Sequence, residues 1–198
     1  MKPKLEEVFG VSSQPVLSYV EREDVDNHFV NALKSDKQIV IYGSSKQGKT
    51  ALVSKHISYK DNISISLSPK HSLSDIYSSI LRQANIKIEI EKVDTSSKEF
   101  KIGVVAKFKA LIPIFGGIET EGNSDSSASS GTEIKYEPIP FNLELSQDIA
   151  EILKKINFKH FIILENFHYL NDELQLQFAY DLRTFQELGI RFIILGVW

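Results

Sequence analysis

The strongest chemical signal is one run, Gly43-Ser44-Ser45-Lys46-Gln47-Gly48-Lys49-Thr50, which fits G-x-x-x-x-G-K-[ST] at every position. That spacing suits a loop wrapped around a polyphosphate. Such a group carries several negative charges, so the loop must aim consecutive backbone N–H groups inward. Gly43 and Gly48 permit backbone angles and a close approach that a side chain would block. Lys49 is placed to reach the β- and γ-phosphates and Thr50 to offer its hydroxyl to Mg²⁺, while a helix N-terminus beneath adds its dipole. Ser44, Ser45, Lys46, Gln47 and Ala51 complete the nucleotide-binding set, with the side chains of Lys46 and Gln47 expected to face solvent. The ligand predicted from these residues is a nucleoside triphosphate with Mg²⁺.

A metal held against a polyphosphate also needs a carboxylate at the end of another buried strand. Phe161-Ile162-Ile163-Leu164-Glu165 provides four apolar residues and then an acid. Glu165 is assigned to the Mg²⁺ shell, through water; the bland alternative is a strand end that simply meets solvent. The next residue is Asn166, whose neutral amide can orient a water but cannot take its proton. The catalytic candidates are therefore Lys49, Glu165 and Asn166. Either Glu165 acts as base, or Asp172 reaches in, or hydrolysis is slow. Two residues beyond Asn166, His168 either approaches the γ-phosphate or packs at a strand-to-helix turn. His28, His56, His71, His160 and His168 show no metal-ligand spacing.

These residues need a scaffold, and the patterning predicts one. Gln38 to Tyr42 is a short apolar, β-branched strand leading into the loop, and a helix from Ala51 to about Tyr59 leaves it. Before it, Met1 to Pro15 reads as an extended lead-in, and Glu21-Arg22-Glu23-Asp24 opens a helix with Val25, Phe29, Ala32 and Leu33 on one face. Asn62 to Leu67 alternates as a strand, and Ser72 with Asp75 makes a capping box for a helix ending near Asn85. Ser146 is expected to cap a helix carrying Ile149, Ala150, Leu153 and Ile156. Asn171 caps another, with Leu174, Phe178, Leu182 and Phe185 at helical spacing, before the strand Arg191 to Gly196. This order predicts an α/β fold with a parallel sheet and helices on both faces.

Residues 86–142 interrupt it. They read as a β-hairpin insertion, with a polar low-complexity tip at 122–133 and a returning strand at Ile134 to Tyr136 halted by Pro138 and Pro140. The insertion is either an edge extension of the sheet or a docking surface for another subunit or a ligand.

Composition sets outer bounds. A chain of 198 residues with 42% hydrophobic and 25% charged residues suits one soluble α/β domain. The net charge of -3 and pI near 6.0 weigh against a nucleic-acid role, although a local patch can hide in a neutral total. There is no cysteine, hence no disulfide framework and no thiolate chemistry. No signal peptide or membrane span is read, so a cytoplasmic protein is expected.

Taken together, the Gly43–Thr50 loop, the Phe161–Asn166 strand and the Val20–Asp24 helix start resemble the AAA+/STAND branch of P-loop ATPases. The resemblance covers the chain outside the insertion. It implies a three-layer P-loop NTPase fold and a nucleotide-dependent switch in signalling or anti-phage defence, usually joined to further domains and capable of self-association. It also implies that Arg22 lies by the nucleotide, with Glu21 standing where the family has glycine. No family sensor residue ends the last strand, and no arginine finger can be placed; Arg183 either serves a neighbouring protomer or lies on a solvated face. The family's fifth strand and helical lid would follow Trp198, so a fragment of a longer protein is expected. The guanine-reading [NT]-K-x-D and the Leu-Ser-Gly-Gly signature of ABC ATPases are missing. Two alternatives stay open: a nucleotide-binding scaffold with little hydrolysis, and a small-molecule kinase using Lys70, His71 and Asp75.

Overall fold

The computed structural model describes residues 19–91, 107–113 and 136–197. Along the chain they form α1 (Glu23–Leu33), β1 (Ile39–Ile41), α2 (Lys49–His56), a 3-10 turn (Tyr59–Asp61), β2 (Ile63–Ser66), α3 (Leu73–Gln83), β3 (Lys87–Glu91), β4 (Lys107–Pro113) and β5 (Tyr136–Phe141). Then follow α4 (Ser146–Lys155), β6 (Phe161–Glu165), a second 3-10 turn (Phe167–Tyr169), α5 (Asp172–Glu187) and β7 (Arg191–Leu195).

The main sheet has the order β1-β7-β6-β2, parallel throughout, with Ile39 opposite Ile193, Ile163 opposite Ile193 on the other side, and Ser66 opposite Glu165. Strand alternation sorts its side chains into two cores. Ile162, Leu164, Phe192 and Ile194 point to the side of α3, α4 and α5, where Tyr77, Leu153, Phe178 and Phe185 are buried. Ile163, Ile193 and Leu195 point the other way, against Phe29 of α1 and Leu52 and Val53 of α2. The expected α/β order with helices on both faces is what the chain adopts. Among the described residues β1 pairs only with β7 and forms one edge.

Three helices end alike. After α3, α4 and α5 a residue turns left-handed (Asn85, Asn157, Gly189; φ 60°, 55° and 79°), and the next N–H donates back to a carbonyl five residues earlier. Ile86, Phe158 and Ile190 supply that N–H, at 2.9–3.0 Å, and their apolar side chains fold onto the core. This is the Schellman arrangement, and the two asparagines serve it because they tolerate a left-handed backbone. At the other end of α3 the Ser72–Asp75 capping box forms as expected.

Several expectations are corrected. α1 begins at Glu23, with Arg22 at its N-cap, and α2 stops at His56, so Tyr59 falls in a separate turn. Ser146 does not cap α4: Leu145 holds that position, and Ser146 donates its hydroxyl to Asp181 Oδ1 at 2.7 Å. Tyr77 donates to the other oxygen of Asp181, so this carboxylate ties α3, α4 and α5 together. Among the described residues the insertion does not extend the main sheet. Its described strands make a separate antiparallel sheet, β3-β4-β5, whose Ala110, Ile112 and Phe141 join the core beside α3 and α4. β5 runs straight through Pro138 and Pro140, which it tolerates because it is an edge strand and needs no outward N–H. The segment at 122–133 lies outside the described residues, as do Met1 to Pro15, Ile134 and Trp198.

Candidate functional site

The Gly43–Thr50 loop joins β1 to α2 at the C-terminal end of the parallel sheet. Its backbone reverses through positive φ at Gly43 (150°), Lys46 (63°) and Gly48 (78°). At Gly43 a Cβ would collide with Gln47 Oε1, whereas at Gly48 the space is open and only the left-handed backbone calls for glycine. Gln47 was expected to face solvent; it is exposed, yet its amide end folds back over Gly43. Lys46 holds a left-handed conformation without being glycine, at a cost of about 1 kcal/mol, the kind of strain that collects in binding loops.

Lys49 turns its ammonium onto the loop itself, donating to the carbonyls of Gly43 at 2.9 Å and Ser44 at 2.8 Å. Thr50, the second residue of α2, is exposed. Gly48 forms the N-cap of α2 with no side-chain cap, which leaves the first-turn N–H groups as anion donors.

Across the sheet, Glu165 ends β6 beside Ser66 of β2. Its side chain shares a face with Phe161 and Ile163, the face covered by α1 and α2. Among the described residues the one hydrogen bond to its carboxylate comes from Tyr59, whose hydroxyl donates to Oε1 at 2.8 Å. Burial first, and then the neighbouring charge of Glu165, push the Tyr59 phenol far up, so it stays a donor throughout the physiological range. Asn166 is left-handed (φ 59°) and donates its amide to Ser66 Oγ at 3.1 Å. Sequence reasoning passed over Tyr59 and Ser66. The contacts that give them meaning bridge 106 and 100 residues, and no local pattern signals such a span.

The remaining candidates separate. Asp172 is an exposed first-turn residue of α5, and Arg183 is exposed and pairs with Glu187 at 3.2 Å, the solvated-face alternative. His168 lies against Tyr169, with ring centres 4.4 Å apart and planes tilted by 50°, and among the described residues its buried Nδ1 has no hydrogen-bond partner. Arg22 is exposed, and its backbone N–H donates to Asp26 Oδ2 at 2.9 Å. Asp26, only 2% exposed, also accepts from Tyr19 at 2.8 Å and meets His56 Nε2 at 2.8 Å, so α1 is fastened to the far end of α2. Burial works against its charge, but His56, the Arg22 N–H and Tyr19 outweigh that and lower its pKa to about 2. Outside this cluster, Lys55 pairs with Glu21 at 2.7 Å.

Comparison with protein-family models, curated proteins and solved structures finds no match. No helix among the described residues is long and apolar enough to cross a membrane.

Thr50 and Glu165, the two candidate ligands, carry the hard oxygen donors that Mg²⁺ takes and not the sulfur or imidazole donors of softer metals. Among the described residues no three His, Cys, Asp or Glu side chains gather as an all-protein metal cage. A threonine hydroxyl and a single carboxylate are hard oxygen donors, and Mg²⁺ characteristically takes one or two such groups, with substrate phosphates and water filling its shell.

Proposed function

We propose that this chain is an ATP-binding domain of the P-loop NTPase kind, AAA+/STAND-like and cytoplasmic, acting as a nucleotide-dependent switch with slow hydrolysis. The observation that carries the reading is the complete Gly43–Thr50 pattern on a strand-loop-helix unit in a parallel sheet, with an acid ending a strand of the same sheet. Gly43 to Gly48 would wrap the phosphates with backbone N–H groups, and Lys49 would exchange its two carbonyl contacts for phosphate oxygens. Thr50 and Glu165 would hold Mg²⁺, whose contribution is to neutralise charge on the phosphates. Asn166 and Ser66 would orient a water without deprotonating it. Nucleotide state would then alter contacts with neighbouring domains or with a second copy of the chain.

Asn166 also favours a second reading, a nucleotide-binding scaffold that does not hydrolyse. A binding titration beside a phosphate-release assay separates the two. Lys49→Ala is expected to lower ATP affinity by tenfold or more, since a charge-assisted hydrogen bond is worth about 1.5–3 kcal/mol. Unchanged affinity would refute the site. Binding without phosphate release would select the scaffold.

A further inference from the structure

We propose that Tyr59 is a positioning residue for the metal at this site, fixing one oxygen of Glu165 so that the other is presented to the Mg²⁺ shell. The inference rests on the nucleotide-binding reading above and adds a residue to it.

Three observations carry it. First, Glu165 is the lone acid at the C-terminal end of β6, followed by the amide of Asn166, and no carboxylate cage lies among the described residues. Beside the Thr50 hydroxyl, the orientation of one carboxylate would therefore decide how a metal is held. Second, glutamate has three rotatable side-chain bonds, and at the end of a strand its carboxylate needs an external anchor to keep one direction. The Tyr59 hydroxyl provides that anchor on Oε1 at 2.8 Å and leaves Oε2 as the oxygen open to a metal or its water. Third, Tyr59 is itself held. It is half-buried against the α1/α2-face cluster that includes Leu52, Val53 and Ile163, and it sits in the turn that follows α2. One short segment thus carries Lys49 and Thr50 at its start and the Glu165 anchor at its end.

A tyrosine that is half-buried, as Tyr59 is, commonly finds some hydrogen-bond partner. If anchoring the ring were the whole role, removing the hydroxyl would change stability and nothing else. Outer groups that orient a metal ligand behave differently, and their loss typically costs about tenfold or more in metal affinity.

The test uses the whole chain and a fluorescent ATP analogue. Nucleotide affinity is measured in EDTA, and then the Mg²⁺ concentration that half-saturates the metal-dependent change, for wild type, Tyr59→Phe, Glu165→Gln and the double variant. Phenylalanine keeps the ring, and thermal melts check that each variant is folded. Tyr59→Phe is expected to bind the analogue as wild type in EDTA but to need about tenfold more Mg²⁺, with no further effect in the Glu165→Gln background. A wild-type Mg²⁺ dependence in Tyr59→Phe, or an equal effect with and without Glu165, would overturn the proposal and leave nucleotide binding standing. If wild type shows no affinity for the analogue in either condition, the nucleotide site itself is wrong, and the role of Tyr59 falls with it.

Discussion

At the scale of single residues, the proposed hydrolysis turns on the identity of position 166. Asn166 sits where the strand ending in Glu165 turns away, in a left-handed conformation that asparagine and aspartate share more readily than other side chains. Its amide holds Ser66 Oγ. Asn166→Asp keeps the backbone preference and exchanges a donor for an acceptor able to take a proton. If the site lacks a base, phosphate release should rise by about a hundredfold, the lower bound for general base catalysis. No rise, with nucleotide still bound, would mean that Glu165 suffices or that other parts complete the site. The same exchange turns the amide's donation to Ser66 around, so the serine hydroxyl would have to donate instead, which it can do by rotating.

At the scale of elements, the joint between α1 and α2 is held through the buried carboxylate of Asp26, and it has a pH signature. Asp26 titrates at about 2, below its ordinary 3.8, so it binds protons less readily folded than unfolded. Its contribution to stability is therefore complete above about pH 4 and lost as pH falls toward 2. In melts run across that range, the Tm difference between wild type and Asp26→Asn should narrow as pH drops from about 4 to about 2; a constant gap would mean that the Asp26 charge does not stabilise the joint. Legibility in the sequence follows the same scale. Elements announced by local pattern were readable: the strand-loop-helix around Gly43–Thr50, the Ser72–Asp75 box, the Asn171 cap and the apolar strand ending in Glu165 all lie where periodicity put them. What local pattern could not show was partnership. Asp26 carries no local signal and yet is buried, while Ser146 reads as a cap and instead serves Asp181 across 35 residues. Prolines misled as well, since Pro138 and Pro140 break a central strand but not an edge one.

At the scale of the molecule, stability should concentrate where both sets of helices meet the central strands. Phe192 of β7 is fully buried and packs against Phe178 at 5.5 Å and Phe185 at 4.9 Å between ring centres. Phe192→Ala should cost about 3–5 kcal/mol in a denaturant titration, because a cavity there has aromatic walls that cannot all relax inward. A loss under 1 kcal/mol would mean the core repacks freely. The sheet order carries one more consequence, for how the chain acquires this structure. β1 finds its partner in β7, and Gln38 just before it is clasped by Phe192 at 2.6 Å, 154 residues away. Contacts that distant must pay loop-closure entropy before they return anything, which places such folds among the slower ones. On a ribosome, β1 and the glycine loop behind it emerge before β7, their partner strand among the described residues, and wait until it has been synthesised. The Gly43–Thr50 loop, though it precedes most of the main sheet in the chain, is therefore among the last parts of that sheet to gain its support.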